Sequence, residues 1–290
     1  MSPAVPHLPK YIADQAAKLE AAGIDSGAAE VEWILCYVLQ IDRLHLYLYG
    51  ATLLNEDKQR QVTAILERRL TRQPLQYILE ESWFYGRKFF VSPAVMVPTP
   101  ETELLCEAAI KFITHSAIPT PRLLDLGTGS GVVAVTMALE VPSAHTVALD
   151  ISTDALAIAR RNALDQKAHF RIQFRQSDLF ACLKEDERFD LILSNPPYIA
   201  EPDYAGLEPE VLADPKIAMT AGSDGLDIIR RIVKSAPDYV NKGGRIMFEI
   251  GFNQAEKVAR LTEIDPRYET IDILRDLNDI DRIVILSCRS

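Results

Sequence analysis

The second half of the chain is constrained most strongly by a regular alternation of short apolar strands and helices. Five stretches read as buried strands: RLLDLG (122–127), HTVALD (145–150), HFRIQFRQSD (169–178), FDLILSN (189–195) and GRIMFEIG (244–251). Helical stretches separate several of them, at 132–141, 152–166 and 224–240. Strands that alternate with helices predict a parallel sheet with helices on both faces. We therefore expect an α/β fold for this part.

Two further strands, at 268–276 and 281–288, follow close together near the C terminus. Only LNDI joins them, and a parallel pairing would need a much longer crossover. These two strands are therefore expected to pair antiparallel at one side of the sheet, which predicts a seven-stranded, mostly parallel sheet with the last strand antiparallel.

The first 80 residues have a different pattern and read as helices. Apolar residues recur at helical spacing in three stretches, 11–23, 27–40 and 56–74. This predicts a small all-α bundle over residues 1–80. Residues 81–97, where aromatic residues flank Gly86 before a proline-rich stretch, are predicted to be a hairpin and linker. Residues 98–290 are then the sheet-containing domain.

Composition and charge limit the possible partners. The formal net charge of −10 argues against a protein built mainly to grip nucleic-acid phosphates, although it leaves RNA or DNA open as a substrate. The four cysteines lie far apart and the five histidines lack ligand spacing, so we expect reduced thiols and no metal site. The N terminus, MSPAVPHLPK, lacks the signal-peptide pattern, and no apolar run approaches the ~20 residues that span a bilayer. A cytoplasmic protein without membrane contact is predicted, with a monomer as the default.

The loop after the first strand of the sheet, DLGTGSG, predicts a cofactor platform. Gly127, Gly129 and Gly131 allow a tight turn and a close approach of a ligand to the backbone, and ligands bind at the carboxyl ends of such strands. Asp150 ends the second strand, where an acid can accept two ribose hydroxyls. The alternative is a tight turn with a helix-capping acid. Asp125 beside the loop favours S-adenosylmethionine, whose ammonium and sulfonium are positive, over NAD.

The segment QSDLF, after the third strand, suggests where a nucleobase binds. Asp178 can accept the adenine amino group, while Leu179 or Phe180 packs on the ring. An equally good interpretation of Asp178 is a helix N-cap.

The fourth strand ends in Asn195-Pro196-Pro197-Tyr198, beside the first strand, so Asn195 is expected to face the reactive end of the cofactor and to contact both cofactor and substrate. A planar NH₂ group is a poor nucleophile, and two acceptors, the Asn195 side-chain oxygen and the Pro196 carbonyl, can fix its orientation for methyl transfer. The prolines stiffen the turn, and Tyr198 can lie against a flat substrate. No separate base is predicted, because nitrogen becomes acidic once it carries the methyl. The alternative is a stiff turn with no ligand.

With these motifs in place, nearly the whole chain resembles the HemK-like family of protein-(glutamine-N5) methyltransferases that modify peptide chain release factors. The resemblance rests on FFVSPAVMVPTPETELL, DLGTGSG, SNPPYI, AGSDGLDIIRRI, GGRIMFEIGFNQ and DLNDIDRIVIL. It implies a Rossmann-like catalytic domain over 98–290 that converts S-adenosylmethionine to S-adenosylhomocysteine. It also implies that the target is the glutamine of a Gly-Gly-Gln motif, and that the helical bundle helps to hold the release factor.

Residue by residue, the resemblance assigns the family's cofactor site to Asp125, Leu126, Gly127, Thr128, Gly129, Asp150 and Leu179, and its amide site to Asn195, Pro196, Pro197 and Tyr198. One position departs from the family pattern, because Thr99 stands where Arg is usual. The basic residues Lys58, Arg60, Arg68, Arg69 and Arg72 read either as a solvated helix face or as a surface for an acidic partner.

Two other functions stay open at this point. Asn-Pro-Pro-Tyr is shared with methyltransferases that act on exocyclic amino groups of DNA or RNA bases, although the acidic balance counts against a stable nucleic-acid partner. A non-catalytic nucleoside-binding module would leave the Asn-Pro-Pro-Tyr turn unexplained.

Overall fold

The computed structural model describes residues 7–116 and 118–289. They form two compact units: the first ends at Glu80 and includes the separate segment 208–213, and the second comprises 81–207 and the residues from Asp214 onward. Residues 1–6, on which part of the signal-peptide interpretation rests, lie outside the described residues. Within the described ranges no helix is both long and apolar enough to span a bilayer.

The first unit is helical. In chain order its helices are α1 (Leu8–Ala21), α2 (Gly27–Leu39), α3 (Arg43–Leu53), α4 (Glu56–Leu70), α5 (Leu75–Leu79) and, in the separate segment, α10 (Pro209–Leu212). Its core contains fully buried Leu19, Ile34 and Val62. The predicted helices correspond to α1, α2 and α4. The sequence pattern does not predict α3, because LHLYLYG alternates like a strand. Asp42 caps this helix by accepting the His45 backbone N–H at 2.8 Å.

A buried ion-pair network holds the segment 208–213 within the first unit. Arg69, only 4% exposed, reaches Glu30 and Glu210 at 2.6 Å each. Arg72 pairs with Glu210 at 2.7 Å and with Glu208 at 2.8 Å. For Arg69 the interpretation as a solvated face is therefore wrong, since its charge is satisfied inside the unit.

Glu210 is ionised because of these arginines. Burial opposes ionisation, but hydrogen bonds from Arg72 and Arg69 outweigh it and lower the pKa of Glu210 to about 2. Because the folded-state pKa is depressed, the stabilisation is complete above the ordinary value of 4.5 and is lost as the pH falls toward 2.

The second unit contains the hairpin expected around Gly86 and the large sheet. Its elements are β1 (Ser82–Phe84), β2 (Arg87–Phe89), α6 (Glu101–Ser116), β3 (Arg122–Leu126), α7 (Val132–Glu140), β4 (His145–Asp150), α8 (Thr153–Asp165), β5 (Ile172–Gln176), β6 (Phe189–Ser194), α9 (Glu201–Tyr204), α11 (Lys216–Met219), α12 (Asp227–Ser235), β7 (Val240–Glu249), α13 (Ala255–Glu263), β8 (Tyr268–Arg275) and β9 (Asp281–Cys288).

The sheet has seven strands in the order β5-β4-β3-β6-β7-β9-β8. Strand β9 runs antiparallel to both its neighbours, and the other pairings are parallel, so the predicted fold class is confirmed. Apolar clusters cover both faces of the sheet, as a doubly covered parallel sheet requires. Helix α6 is not predicted by the sequence pattern, and it begins at Glu101, separated from the end of the predicted linker by the three residues Pro98-Thr99-Pro100.

The strand register brings three strand ends to one level. Leu126, the last residue of β3, pairs with Leu149 of β4 and with Ser194 of β6. The order of strands along the chain also reverses between β3 and β6, which is where ligands bind in open α/β sheets. Asp150, the last residue of β4, and Asn195, the residue after β6, therefore emerge on either side of the glycine loop.

The ion-pair network predicts a stability effect. Replacing Arg69 with alanine leaves Glu30 and Glu210 without their buried partner, so the free energy of unfolding should fall by about 3–5 kcal/mol. The control is Arg68→Ala on the exposed side of α4, which should change it by less than about 0.5 kcal/mol. Equal effects of both substitutions in chemical denaturation would contradict this assignment.

Candidate active site

A cavity of about 440 Å³ opens at the carboxyl ends of the central strands, within the second unit. Its walls come from the glycine loop, from the residues after β4 and β5, from Asn195, and from the stretches 93–98 and 215–218. Its size is in the range of small-molecule sites. Across the described residues, no group of three or more His, Cys, Asp or Glu side chains is arranged to hold a metal ion.

Backbone hydrogen bonds fold the glycine loop over the end of β4. The N–H groups of Gly127 and Thr128 both donate to the Leu149 carbonyl, at 2.8 and 2.9 Å. Gly129 has φ +55°, and a Cβ added there would meet only a carbonyl at 4.0 Å. The loop therefore leaves open space on its cavity side, where a ligand can approach the backbone.

Gly131 serves a different purpose from the other two glycines. A Cβ at this position would lie 3.0 Å from the Ala159 Cβ and 3.1 Å from its Cα, and the residue has φ +83°. Gly131 thus allows the start of α7 to pack against α8, so its contact is with the helix. Its assignment to the cofactor stays a prediction.

Two acids hold the loop, Asp125, which is buried, and Asp150, which is half-buried. Asp125, 1% exposed, accepts the Thr128 hydroxyl at 2.6 Å, and Asp150 accepts the N–H groups of Gly129 and Ser152 at 2.9 Å each. Burial raises the pKa of Asp125 to about 7, assisted by the charge of Asp150 and opposed by the Thr128 hydrogen bond. Burial also raises the pKa of Asp150, against its backbone hydrogen bonds. A cation bound beside them would favour their ionised forms.

The segment after β5 forms another part of the wall. Leu179 has φ +50°, an uncommon conformation for a residue with a side chain, and Ser177 holds it by donating its hydroxyl to the Leu179 carbonyl at 2.7 Å. Asp178 precedes a 3₁₀ turn, but its side chain makes no capping bond and instead pairs with Arg231 at 2.9 Å. The capping alternative for Asp178 is therefore not realised.

Asn195 is the first member of a chain of hydrogen bonds. Its Nδ2 group donates to the Thr102 hydroxyl at 2.8 Å, and that hydroxyl donates to the Glu249 carboxyl at 2.8 Å. The Tyr198 hydroxyl donates to the other Glu249 oxygen at 3.2 Å. Burial raises the pKa of Tyr198 well above its ordinary value, helped by the Glu249 charge. Within residues 7–116 and 118–289, no group donates a hydrogen bond to the side-chain oxygen of Asn195.

The structure brings most of the predicted site residues to one cavity. Those on its wall are Asp125, Gly127, Thr128, Gly129, Asp150, Asp178, Leu179, Asn195 and Pro197. Leu126 and Pro196 are buried, and Tyr198 turns toward Glu249. The site also involves Thr102, Arg231 and Glu249, which the sequence motifs do not identify. Only Glu249 carried a signal, as an acid at the end of an apolar strand.

The sheet order and the site place the chain in a structural class. The hMettl16 catalytic domain, solved in complex with the MAT2A 3′UTR hairpin 6, is similar with a TM-score of 0.58 at 15% identity, covering 71% of this chain and 77% of that one. This likeness shows the fold alone. A family model described as the methyltransferase small domain matches residues 104–208, and another described as the PrmC N-terminal domain matches residues 11–79. The chain is thus a methyltransferase with a Rossmann-like sheet.

Curated relatives define the family. The release factor glutamine methyltransferase of Cereibacter sphaeroides is 42% identical over 268 residues, which is 92% of this chain and 93% of that protein. Its counterpart from Geobacter sulfurreducens is 39% identical over 267 residues, 92% of this chain and 91% of that protein. The chain belongs to the release factor glutamine methyltransferases, as its resemblance to the HemK-like family implied.

The packing of Gly131 predicts a destabilising substitution. In Gly131→Ala the new methyl group meets Ala159, whereas in the control Gly86→Ala, at φ +70°, the added Cβ meets nothing within 4 Å. Both changes strain the backbone, by about 1–2 kcal/mol. Overpacking should make Gly131→Ala worse by a further 1–3 kcal/mol or so in the free energy of unfolding. Equal losses in the free energy of unfolding for the two variants would show that α7 and α8 can move apart without cost to stability.

Proposed function

We propose that the protein transfers a methyl group from S-adenosylmethionine to the side-chain amide nitrogen of the glutamine in the Gly-Gly-Gln motif of a peptide chain release factor. The observation that carries the proposal is the position of Asn195, which lines the same cavity as the glycine loop and Asp150 and whose Nδ2 group, not its amide oxygen, is bonded to Thr102. Family membership supports the choice of substrate.

The described residues fit S-adenosylmethionine. Asp150, at the end of β4, would accept the ribose hydroxyls, and Asp125 and the glycine loop would hold the methionine portion with its ammonium. Leu179 would pack on the adenine, and Asp178 would accept its amino group, in competition with Arg231. When bound, S-adenosylmethionine supplies an electrophilic methyl group and leaves as S-adenosylhomocysteine.

The residues after β6 would orient the glutamine. The Asn195 Oδ1 atom and the Pro196 carbonyl would accept the two N–H bonds of the substrate amide, and Pro197 would hold the turn rigid. Fixing both hydrogens aims the nitrogen at the methyl group and favours charge moving out of the amide plane. The proton lost from nitrogen can pass to water after transfer. Tyr198 would support this turn through its hydrogen bond to Glu249.

The two parts of the chain would divide the task. The helical part, residues 1–80, would recognise the release factor, residues 81–97 would serve as hairpin and linker, and residues 98–290 would carry out catalysis. Helix α3 supports a binding role for the helical part because it exposes large apolar side chains, with Leu44 68%, Tyr47 51% and Leu48 60% accessible. Exposed apolar clusters of this kind are typical of protein-binding surfaces.

A labelling experiment tests the proposal. The protein is incubated with methyl-labelled S-adenosylmethionine and with release factor, rRNA or DNA in separate reactions. We expect label only in the release factor, and none when the Gly-Gly-Gln glutamine is replaced by alanine. Label confined to nucleic acid would overturn the proposal in favour of a base methyltransferase, and no transfer despite cofactor binding would favour a binding module.

If Asn195 orients the substrate and Asp150 binds the cofactor, substitutions at the two positions should affect different quantities. Asn195→Ala removes an acceptor for the substrate amide, so kcat should fall at least about 100-fold while the affinity for S-adenosylmethionine changes only a few-fold. The matched variant Asp150→Asn should weaken cofactor binding instead. Calorimetry and steady-state kinetics measure both quantities. Equal loss of affinity and turnover in Asn195→Ala would assign Asn195 to the cofactor.

A further inference from the structure

The Asn195 amide is backed by two residues that the sequence analysis did not assign to the site. Thr102, in the first turn of α6, is 2% exposed, and Glu249, the last residue of β7, is 1% exposed. Thr102 lies between Asn195 and Glu249, at 2.8 Å from each. A third oxygen, the Thr99 hydroxyl, lies 3.5 Å from the Thr102 hydroxyl.

The direction of these hydrogen bonds is fixed by the carboxylate. An ionised carboxylate has no hydrogen to donate, so it accepts from Thr102. The Thr102 hydroxyl has one hydrogen, and once this is given to Glu249 the hydroxyl can only accept from Asn195. The NH₂ end of the Asn195 amide must therefore face Thr102.

The shape of the site alone would not select between the two orientations of the Asn195 amide. The two ends of a side-chain amide are nearly identical in size, so a rotation by 180° fits the same space and exchanges an acceptor for a donor. With the NH₂ end turned to Thr102, the oxygen is presented to the cavity. With the opposite orientation, Asn195 would meet the substrate NH₂ with its own NH₂ and would repel it.

We propose that Glu249 and Thr102 are positioning residues, which act as a relay that selects the orientation of the Asn195 amide with its oxygen toward the substrate. The inference rests on the proposed function for the role of that oxygen. The new element is that the orientation of the Asn195 oxygen depends on the charge of Glu249, which lies two hydrogen bonds away. The Tyr198 hydroxyl, on the other Glu249 oxygen, gives the carboxylate a second donor and fixes its plane.

Protonation of Glu249 would remove the selection, because a neutral carboxyl can donate to Thr102. The groups facing Glu249 are Thr102, Tyr198, Arg282 and Glu101. Burial raises the pKa of Glu249 to about 7, the Thr102 and Tyr198 hydrogen bonds and the Arg282 charge lower it, and the Glu101 charge raises it. Turnover should therefore fall as the pH drops below about 7, when the carboxylate is lost.

The kinetic test compares four proteins: wild type, Glu249→Gln, Thr102→Val and Thr102→Ser. Glutamine and valine remove the directional relay with little change in volume, so kcat on release factor should fall about 10- to 100-fold while the KM for S-adenosylmethionine stays within about three-fold. Thr102→Ser keeps the hydroxyl and should recover most of the turnover. The fall in turnover below pH 7 should weaken in Glu249→Gln. If Glu249→Gln keeps wild-type kcat and the wild-type pH profile, the inference is wrong.

A second readout needs no substrate. In protein with ¹⁵N-labelled asparagine, the Asn195 NH₂ resonance, assigned by its absence in Asn195→Ala, should be protected from solvent exchange in wild type and in Thr102→Ser. Protection should be lost in Glu249→Gln and Thr102→Val. Unchanged protection in both would overturn the relay even if the wild type were inactive on release factor. Inactivity of the wild type with the expected exchange pattern would instead reject the proposed substrate and keep the relay.

Discussion

The level ends of three parallel strands are the constraint on which the site depends. Hydrogen-bond register sets Leu126 opposite both Leu149 and Ser194, so the chain leaves β3, β4 and β6 at the same height. This register determines where the glycine loop, Asp150 and Asn195 lie relative to one another. Because the strand order reverses between β3 and β6, the loops diverge and leave a cavity between them. A one-residue slip of β6 would turn Asn195 to the other face of the sheet.

Three acids, of which Asp125 and Glu249 are buried and Asp150 is half-buried, then order the hydrogen-bonding groups of the loops. Asp125 orders Thr128, Asp150 orders Gly129, and Glu249 orders Thr102. Burial raises the pKa of Asp125 and of Glu249 to about 7, which shows that desolvation works against each charge. Such carboxylates cost folding free energy, since hydrogen bonds only partly replace their hydration. In the folded protein each ionised carboxylate fixes the direction of the hydrogen bonds around it, because it can only accept. It therefore orients the hydroxyl and N–H groups beside it.

The strands, their pairing and most of the cavity wall could be predicted because their signals are local. An apolar run, a glycine loop and an acid after a strand lie within a few residues of each other. The relay could not be predicted from the sequence, because Thr102, Asn195 and Glu249 come from three distant segments that only the folded sheet brings together. The prolines just before Thr102 also hide the start of α6, which begins at Glu101. Likewise Arg69, read from its helix as a surface charge, meets Glu210 from a segment 141 residues away.

The cavity by itself does not identify the substrate. Two acceptors and a rigid turn will hold any planar NH₂ group, and the amide of glutamine and the amino group of a base present the same pair of hydrogens. Residues that contact only the NH₂ group of a substrate cannot distinguish glutamine from a base, so other surfaces have to provide that selectivity. The curated relatives match along nearly the whole chain, including residues 11–79, whose own family model differs from that of the sheet. Under the proposed function, the choice of glutamine over a base would come from residues outside the amide holder, and we propose the helical unit, with its exposed apolar face on α3, as the part that makes it.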